Sequence, residues 1–144
     1  MTRVVGAFGE RFASKRIAVE ADVAAGLAVH GDSDRLTQLL NNVLENSFRY
    51  TDPDGRLRVT ARRDGPRIAL DVQDSAPAVP EALLPRVFER LFRVEASRNR
   101  ERGGAGLGLS LCRSIVEAHG GEIHARPSPL GGLWIRIELP RSAT

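Results

Sequence analysis

The segment Asp34-Arg35-Leu36-Thr37-Gln38-Leu39-Leu40-Asn41-Asn42-Val43-Leu44-Glu45-Asn46-Ser47-Phe48-Arg49-Tyr50 carries Leu36, Leu39, Leu40, Val43 and Leu44 at the spacing of one buried helical face. This predicts a helix over 34–50. Gly31-Asp32-Ser33 marks a turn before it, and Thr51-Asp52-Pro53-Asp54-Gly55 breaks it. At about 100° per residue, Asn42, Asn46 and Arg49 fall within about 60° of one another, away from the leucine face. Asn is a poor helix former, at roughly 0.5 kcal/mol relative to Ala, so Asn41, Asn42 and Asn46 in one helix require either a solvated face or a use. Amide oxygens suit a hard cation such as Mg²⁺, which takes oxygen ligands while bridging phosphates, and Arg49 would then neutralise phosphate charge.

Outward from this helix, Val5, Phe8 and Phe12 stand at helical spacing, and Ile17, Val19 and Ala21 predict a strand. A second short strand is expected over Gly26 to His30. Alternation in Leu57, Val59 and Ala61, then Ile68, Leu70 and Val72, around Asp64-Gly65-Pro66 reads as a hairpin. The arginine-rich segment from Arg93 to Arg102 has no period and reads as a mobile loop. Gly103 to Gly108 opens a helix with the apolar stripe Leu111, Cys112, Ile115 and Val116, ended by His119-Gly120-Gly121. Strands over Glu122 to Arg126 and Leu133 to Leu139 close the chain. Helices and hairpins in mixed order predict an α+β fold, a two-layer sandwich with one face of a mixed sheet covered by helices.

At 144 residues the chain fits one domain, 1–144, with a single core. The run Val23 to Val29 is far shorter than the roughly 20 residues that cross a bilayer, and neither a membrane anchor nor a signal peptide is expected in these 144 residues. The pI is near 9.9, but acidic residues are interspersed with the arginines and the net charge is only +3, which argues against a nucleic-acid partner. Cys112 is the only cysteine, so no disulfide framework exists, and its apolar stripe predicts a buried thiol.

Two further constellations carry chemistry. Asp74, at the end of a predicted strand, can accept a hydrogen bond from an exocyclic amine, which adenine offers and guanine lacks there; the alternative is a turn-forming aspartate. Gly103-Gly104-Ala105-Gly106-Leu107-Gly108-Leu109 runs into a helix, so its amides can converge on phosphate; the alternative is a flexible hinge. It matches neither the dinucleotide G-x-G-x-x-G nor the G-x-x-x-x-G-K-[ST] loop. Of Arg93, Arg98, Arg100 and Arg102, a guanidinium closing over phosphate would count for more than a solvated one. His30, His119 and His124 lack metal-ligand spacing along the chain and suit neither zinc nor nucleophilic catalysis. Trp134 reads as packing, and Tyr50 as a base flank or core residue.

Taken together, the pieces resemble the catalytic ATP-binding domain of two-component sensor histidine kinases, in the wider group that includes gyrase, Hsp90 and MutL. Asp34 through Thr51 looks like the asparagine box, Asp74-Ser75-Ala76-Pro77-Ala78-Val79 sits at the first glycine box, Phe88-Glu89-Arg90-Leu91-Phe92-Arg93 looks like the phenylalanine box, and Gly104 to Leu109 resembles the second glycine box. The wording around Leu44-Glu45-Asn46-Ser47, Asp74-Ser75-Ala76-Pro77 and Glu95-Ala96-Ser97-Arg98-Asn99-Arg100 is similar to envelope-stress sensor kinases of the BaeS type.

The resemblance implies a Bergerat-type fold and cofactors ATP and Mg²⁺. Asn46 would hold the metal; Asn42 and Arg49 would contact phosphates; Tyr50 would lie beside the nucleotide, and Asp74 would read the adenine amine. Ala76 and Val79 of the first glycine box and Gly104, Gly106, Leu107, Gly108 and Leu109 of the second would line the site, with Arg98 in a lid anchored by Phe88 and Phe92. It implies γ-phosphoryl transfer to a histidine on a dimerisation domain that serves a response regulator. No histidine here has the phosphoacceptor context, so the isolated domain, a monomer, is not expected to phosphorylate itself. It would be the cytoplasmic part of a parent kinase in the bacterial inner membrane. Ala76 and Ala78 stand where glycine is usual, at about 1 kcal/mol or more if backbone or ligand is crowded. On that departure rests the alternative, a non-catalytic nucleotide-responsive scaffold with weakened ATP binding.

Overall fold

Residues 2–75, 77–89 and 108–141 are described by the computed structural model. Helices α1 (Thr2–Ala7) and α2 (Gly9–Ser14) lead into β1 (Ala18–Val23), followed by α3 (Ser33–Tyr50), β2 (Arg56–Asp64) and β3 (Arg67–Ser75). A 3₁₀ helix (Glu81–Arg86), α4 (Gly108–Ala118), β4 (Glu122–Pro127) and β5 (Gly131–Pro140) complete the order.

The predicted helix forms because its end is capped and its face is buried. Asp32 is the N-cap; its carboxylate accepts from the N–H groups of Asp34 at 2.9 Å and Arg35 at 3.2 Å. Leu39, Val43 and Leu44 are buried beneath it. The hairpin forms as expected, with Gly65 at φ +62° in its turn and Asp64 opposite Arg67. One mixed sheet results, in the order β1-β2-β3-β5-β4, with β1 parallel to β2 and the remaining pairs antiparallel.

Period-two alternation turns Leu57, Val59 and Ala61 of β2, Leu70 and Val72 of β3, and Leu133, Ile135, Ile137 and Leu139 of β5 toward the core. Buried Leu109, Cys112, Ile115 and Val116 of α4 close it from the helical layer. Each fully buried Leu, Ile or Val stabilises the fold by about 1.5–3 kcal/mol, so this one cluster is the main cohesive element. On the opposite sheet face, Asp71 accepts from Trp134 Nε1 at 2.7 Å and from Arg136 Nη1 at 3.2 Å, which explains how a carboxylate only 5% exposed is tolerated there. Cys112 is fully buried, as expected, and burial pushes its thiol up to about 12.

Two expectations change. The segment Gly26 to His30 pairs with no strand: Gly26 turns the chain at φ +75°, and Leu27 and Val29 are half-buried while Ala28 and His30 are exposed. Its alternation reports one-sided burial without a ladder. The opening helix splits at Phe8, between Gly6 and Gly9, residues of low helix propensity; Phe8 and Phe12 still pack at 5.9 Å, and Phe12 meets Phe48 edge-on at 5.7 Å. Among the described residues no helix is long and apolar enough to cross a membrane.

Candidate functional site

Strand β3 delivers Asp74 to the core-facing side of the sheet, opposite Leu57, because it shares the parity of Leu70 and Val72. The carboxyl is 5% exposed. Its Oδ1 accepts from the Leu133 N–H at 2.7 Å and its Oδ2 from the Ser47 hydroxyl at 3.2 Å. Burial pushes it up to about 7, with the Leu133 and Ser47 hydrogen bonds opposing that rise. An ionised carboxylate offers about four acceptor positions, so lone pairs remain for a ligand N–H. At Gly132 any Cβ would collide with Asp74 Oδ1 and the Ser75 carbonyl; glycine is what lets β5 run this close.

On α3, Asn42, Asn46, Arg49 and Tyr50 are half-buried, whereas Asn41 is exposed. A solvated face therefore accounts for Asn41 only. No hydrogen bond among the described residues engages the Asn42 or Asn46 amide. Arg49 Nε donates to Glu45 Oε1 at 3.0 Å, and the same carboxylate takes Arg11 of α2 at 2.6 and 3.0 Å. The Arg11 hydrogen bonds, followed by the Arg11 and Arg49 charges, hold Glu45 below its usual range against partial burial. The Arg11 guanidinium also lies 4.4 Å from the Phe48 ring centre, which ties α2 to the asparagine-bearing helix.

Val79 is half-buried against the core and Phe88 lies within it. Gly108 opens α4 with open space around its Cα, and Leu109 is buried. Ala76, Phe92, Arg98, Gly104, Gly106 and Leu107, together with the expected loop Arg93 to Arg102, lie outside the described residues. The structure thus joins Asp74 to the asparagine-bearing helix through Ser47.

Ser47, Glu45, Gly132 and the Leu133 N–H were not singled out from sequence. A serine four residues beyond Val43 on the apolar stripe was the one signal available, since a hydroxyl there has to find a partner. Cross-strand pairing also brings His124 beside Glu122 and Glu138, ligand atoms within 4.8 Å of one another, a grouping that spacing along the chain does not reveal. Arg67 lies 3.1 Å from Glu122 and 3.8 Å from Glu138, and Arg136 lies 3.5 Å from Glu138, so these carboxylates already face cations.

With this geometry in hand, the profile of histidine kinase-, DNA gyrase B- and HSP90-like ATPases matches residues 31–143. The chain is 50% identical over 135 residues to signal transduction histidine-protein kinase BaeS of Escherichia coli (strain K12), covering 94% of this chain and 29% of that protein. Among solved structures, the nucleotide-free catalytic domain of histidine kinase ThkA superposes with a TM-score of 0.85 at 28% identity, over 97% of this chain and 89% of that one. Full-length ShkA in complex with AMPPNP superposes with a TM-score of 0.83 at 27% identity, over 99% of this chain and 29% of that one.

Proposed function

The chain belongs to the histidine kinase-, DNA gyrase B- and HSP90-like ATPase family, and from that premise we propose that it binds Mg-ATP and transfers the γ-phosphoryl group to a histidine on the dimerisation domain of a sensor kinase. It spans 29% of BaeS, so the phosphoacceptor, the sensor and an inner-membrane parent belong to the same proposal, as does a response regulator downstream. One observation carries the reading: the Ser47–Asp74 hydrogen bond, which links the asparagine-bearing helix to a buried strand-end carboxylate with acceptor capacity to spare.

In this reading Asp74 accepts from the adenine amine and Tyr50 flanks the base. Half-buried amides with no partner among the described residues fit a metal and phosphates, so Asn46 would hold Mg²⁺ and Asn42 would contact phosphate. When bound, the ion neutralises phosphate charge. Arg49 adds a guanidinium, and Val79, Gly108 and Leu109 belong to the boxes that border the nucleotide. In the transfer, the bond from the γ-phosphorus to the ADP oxygen breaks and a phosphorus–nitrogen bond to imidazole forms. The residues contribute position and charge rather than a covalent intermediate. Ala76, Phe92, Arg98, Gly104, Gly106 and Leu107 enter only by resemblance.

The test mixes the chain with labelled ATP and the dimerisation domain of its parent kinase. Acid-labile label on the added domain, and none on this chain alone, is the expected result. Absence of transfer by a chain that binds ATP would favour the scaffold instead.

A further inference from the structure

Ser47 is 3% exposed, on a stripe whose preceding members, Leu39 and Val43, are apolar. An alanine would fit this position without burying a hydroxyl, so the hydroxyl needs a reason. Its partner is Asp74 Oδ2 at 3.2 Å, while the Leu133 N–H holds Oδ1 at 2.7 Å. A carboxylate held through one oxygen can still turn about its Cβ–Cγ bond; a second hydrogen bond from another element fixes its plane. Building on the reading of Asp74 given above, we propose that Ser47 is a positioning residue for adenine recognition, orienting the Asp74 carboxylate so that its remaining lone pairs face the exocyclic amine of ATP.

Among the described residues, Ser47 is the side chain that hydrogen-bonds the Asp74 carboxylate. Gly132 and the Leu133 N–H approach the carboxylate from β5, again among the described residues, and from β2 its register partner is apolar Leu57. Arg56 and Asp71 alternate to the other sheet face, and on α3 Glu45 is taken up by Arg11 and Arg49. Burial favours the protonated acid, and the groups that oppose it are the Leu133 N–H and the Ser47 hydroxyl, neither of them charged. A protonated carboxyl would offer a hydrogen where the amine also offers one.

The experiment compares calorimetric binding of ATP and of purine riboside triphosphate, which lacks the amine, by the wild-type chain, Ser47→Ala and Ser47→Cys between pH 6 and 8.5. Ser47→Ala should bind ATP about tenfold more weakly at pH 7, the scale of one hydrogen bond to a charged group, and should need higher pH to reach full affinity. Ser47→Cys, with a weak donor of similar shape, should fall between. Neither variant should change the affinity for purine riboside triphosphate. Equal losses on both nucleotides would reduce Ser47 to a packing residue, and no loss on ATP would also overturn the proposal. If Ser47→Ala does not fold, Ser47→Cys carries the same comparison. A wild-type chain that binds the two nucleotides alike would instead show that Asp74 does not read the amine, and both readings would fall.

Discussion

His119 Nε2 accepts a hydrogen bond from the backbone N–H of Asp32 at 3.1 Å, joining the residue after α4 to the N-cap of α3. The other ring nitrogen, Nδ1, lies 2.8 Å from the Ile115 carbonyl, so it carries the proton and leaves Nε2 as the acceptor. The imidazole packs so closely on Gly31 that a Cβ there would collide with it. His119→Ala should therefore lower stability by about 1–2 kcal/mol, and thermal denaturation should show a drop of several degrees. An unchanged melting temperature would mean that water replaces the ring without loss.

Asp74 makes stability depend on pH with a definite sign. Its folded carboxyl is pushed up to about 7, against about 3.9 for an ordinary aspartate in the unfolded chain. Between those values the folded state binds more protons, so this group's contribution falls as pH rises and levels off above the folded value. Asp74→Asn removes the titration. The stability of the variant relative to wild type should rise with pH by up to about 1.4 kcal/mol per unit between pH 4.5 and 6.5. Urea unfolding at several pH values measures this, and a constant difference would contradict it.

Asn46→Ala should abolish the Mg²⁺ dependence of ATP binding while leaving adenine selectivity, because the amide oxygen is lost and Asp74 is not. Titrations with and without Mg²⁺ read this directly. A variant that responds to Mg²⁺ as wild type does would make Asn46 a bystander on α3.

Gly132→Ala places a methyl against both Asp74 and the Ser75 carbonyl. Either β5 shifts or the carboxylate turns away, and overpacking of this kind destabilises by about 1–3 kcal/mol. ATP affinity should fall together with the melting temperature. Loss of stability with full affinity would indicate that the sheet relaxes away from the carboxylate.

The helix expected over 34–50 and the hairpin were legible because one face of each is buried and turn signals bound them, Gly31-Asp32-Ser33 before the helix and Asp64-Gly65-Pro66 in the hairpin; that Asp32 caps the helix is shown by the structure. Gly26 to His30 was misread because half-burial leaves the same alternation as a paired strand. At the candidate site, Asp74 was visible as a strand-end acid, but its partners were not. Leu133 lies 59 residues away and donates through its backbone, which no side-chain pattern records. Glu45 carries no sequence signal of its own, because its partner Arg11 lies 34 residues earlier and meets it only in the folded chain.

Strand β5 lies between β3 and β4, and β4 reaches the sheet only through it. A ribosome making this chain releases Asp74 well before it releases Leu133, and in the interval one edge of β3 has no neighbour and the carboxylate lacks one of its two anchors. Such an unpaired edge is the kind of surface that aggregates. On the role proposed for Asp74, adenine would not serve as an early folding template for the nascent chain. In that reading, adenine-selective binding would report that synthesis has passed β5, and a chain cut before Gly131 should be blind to adenine.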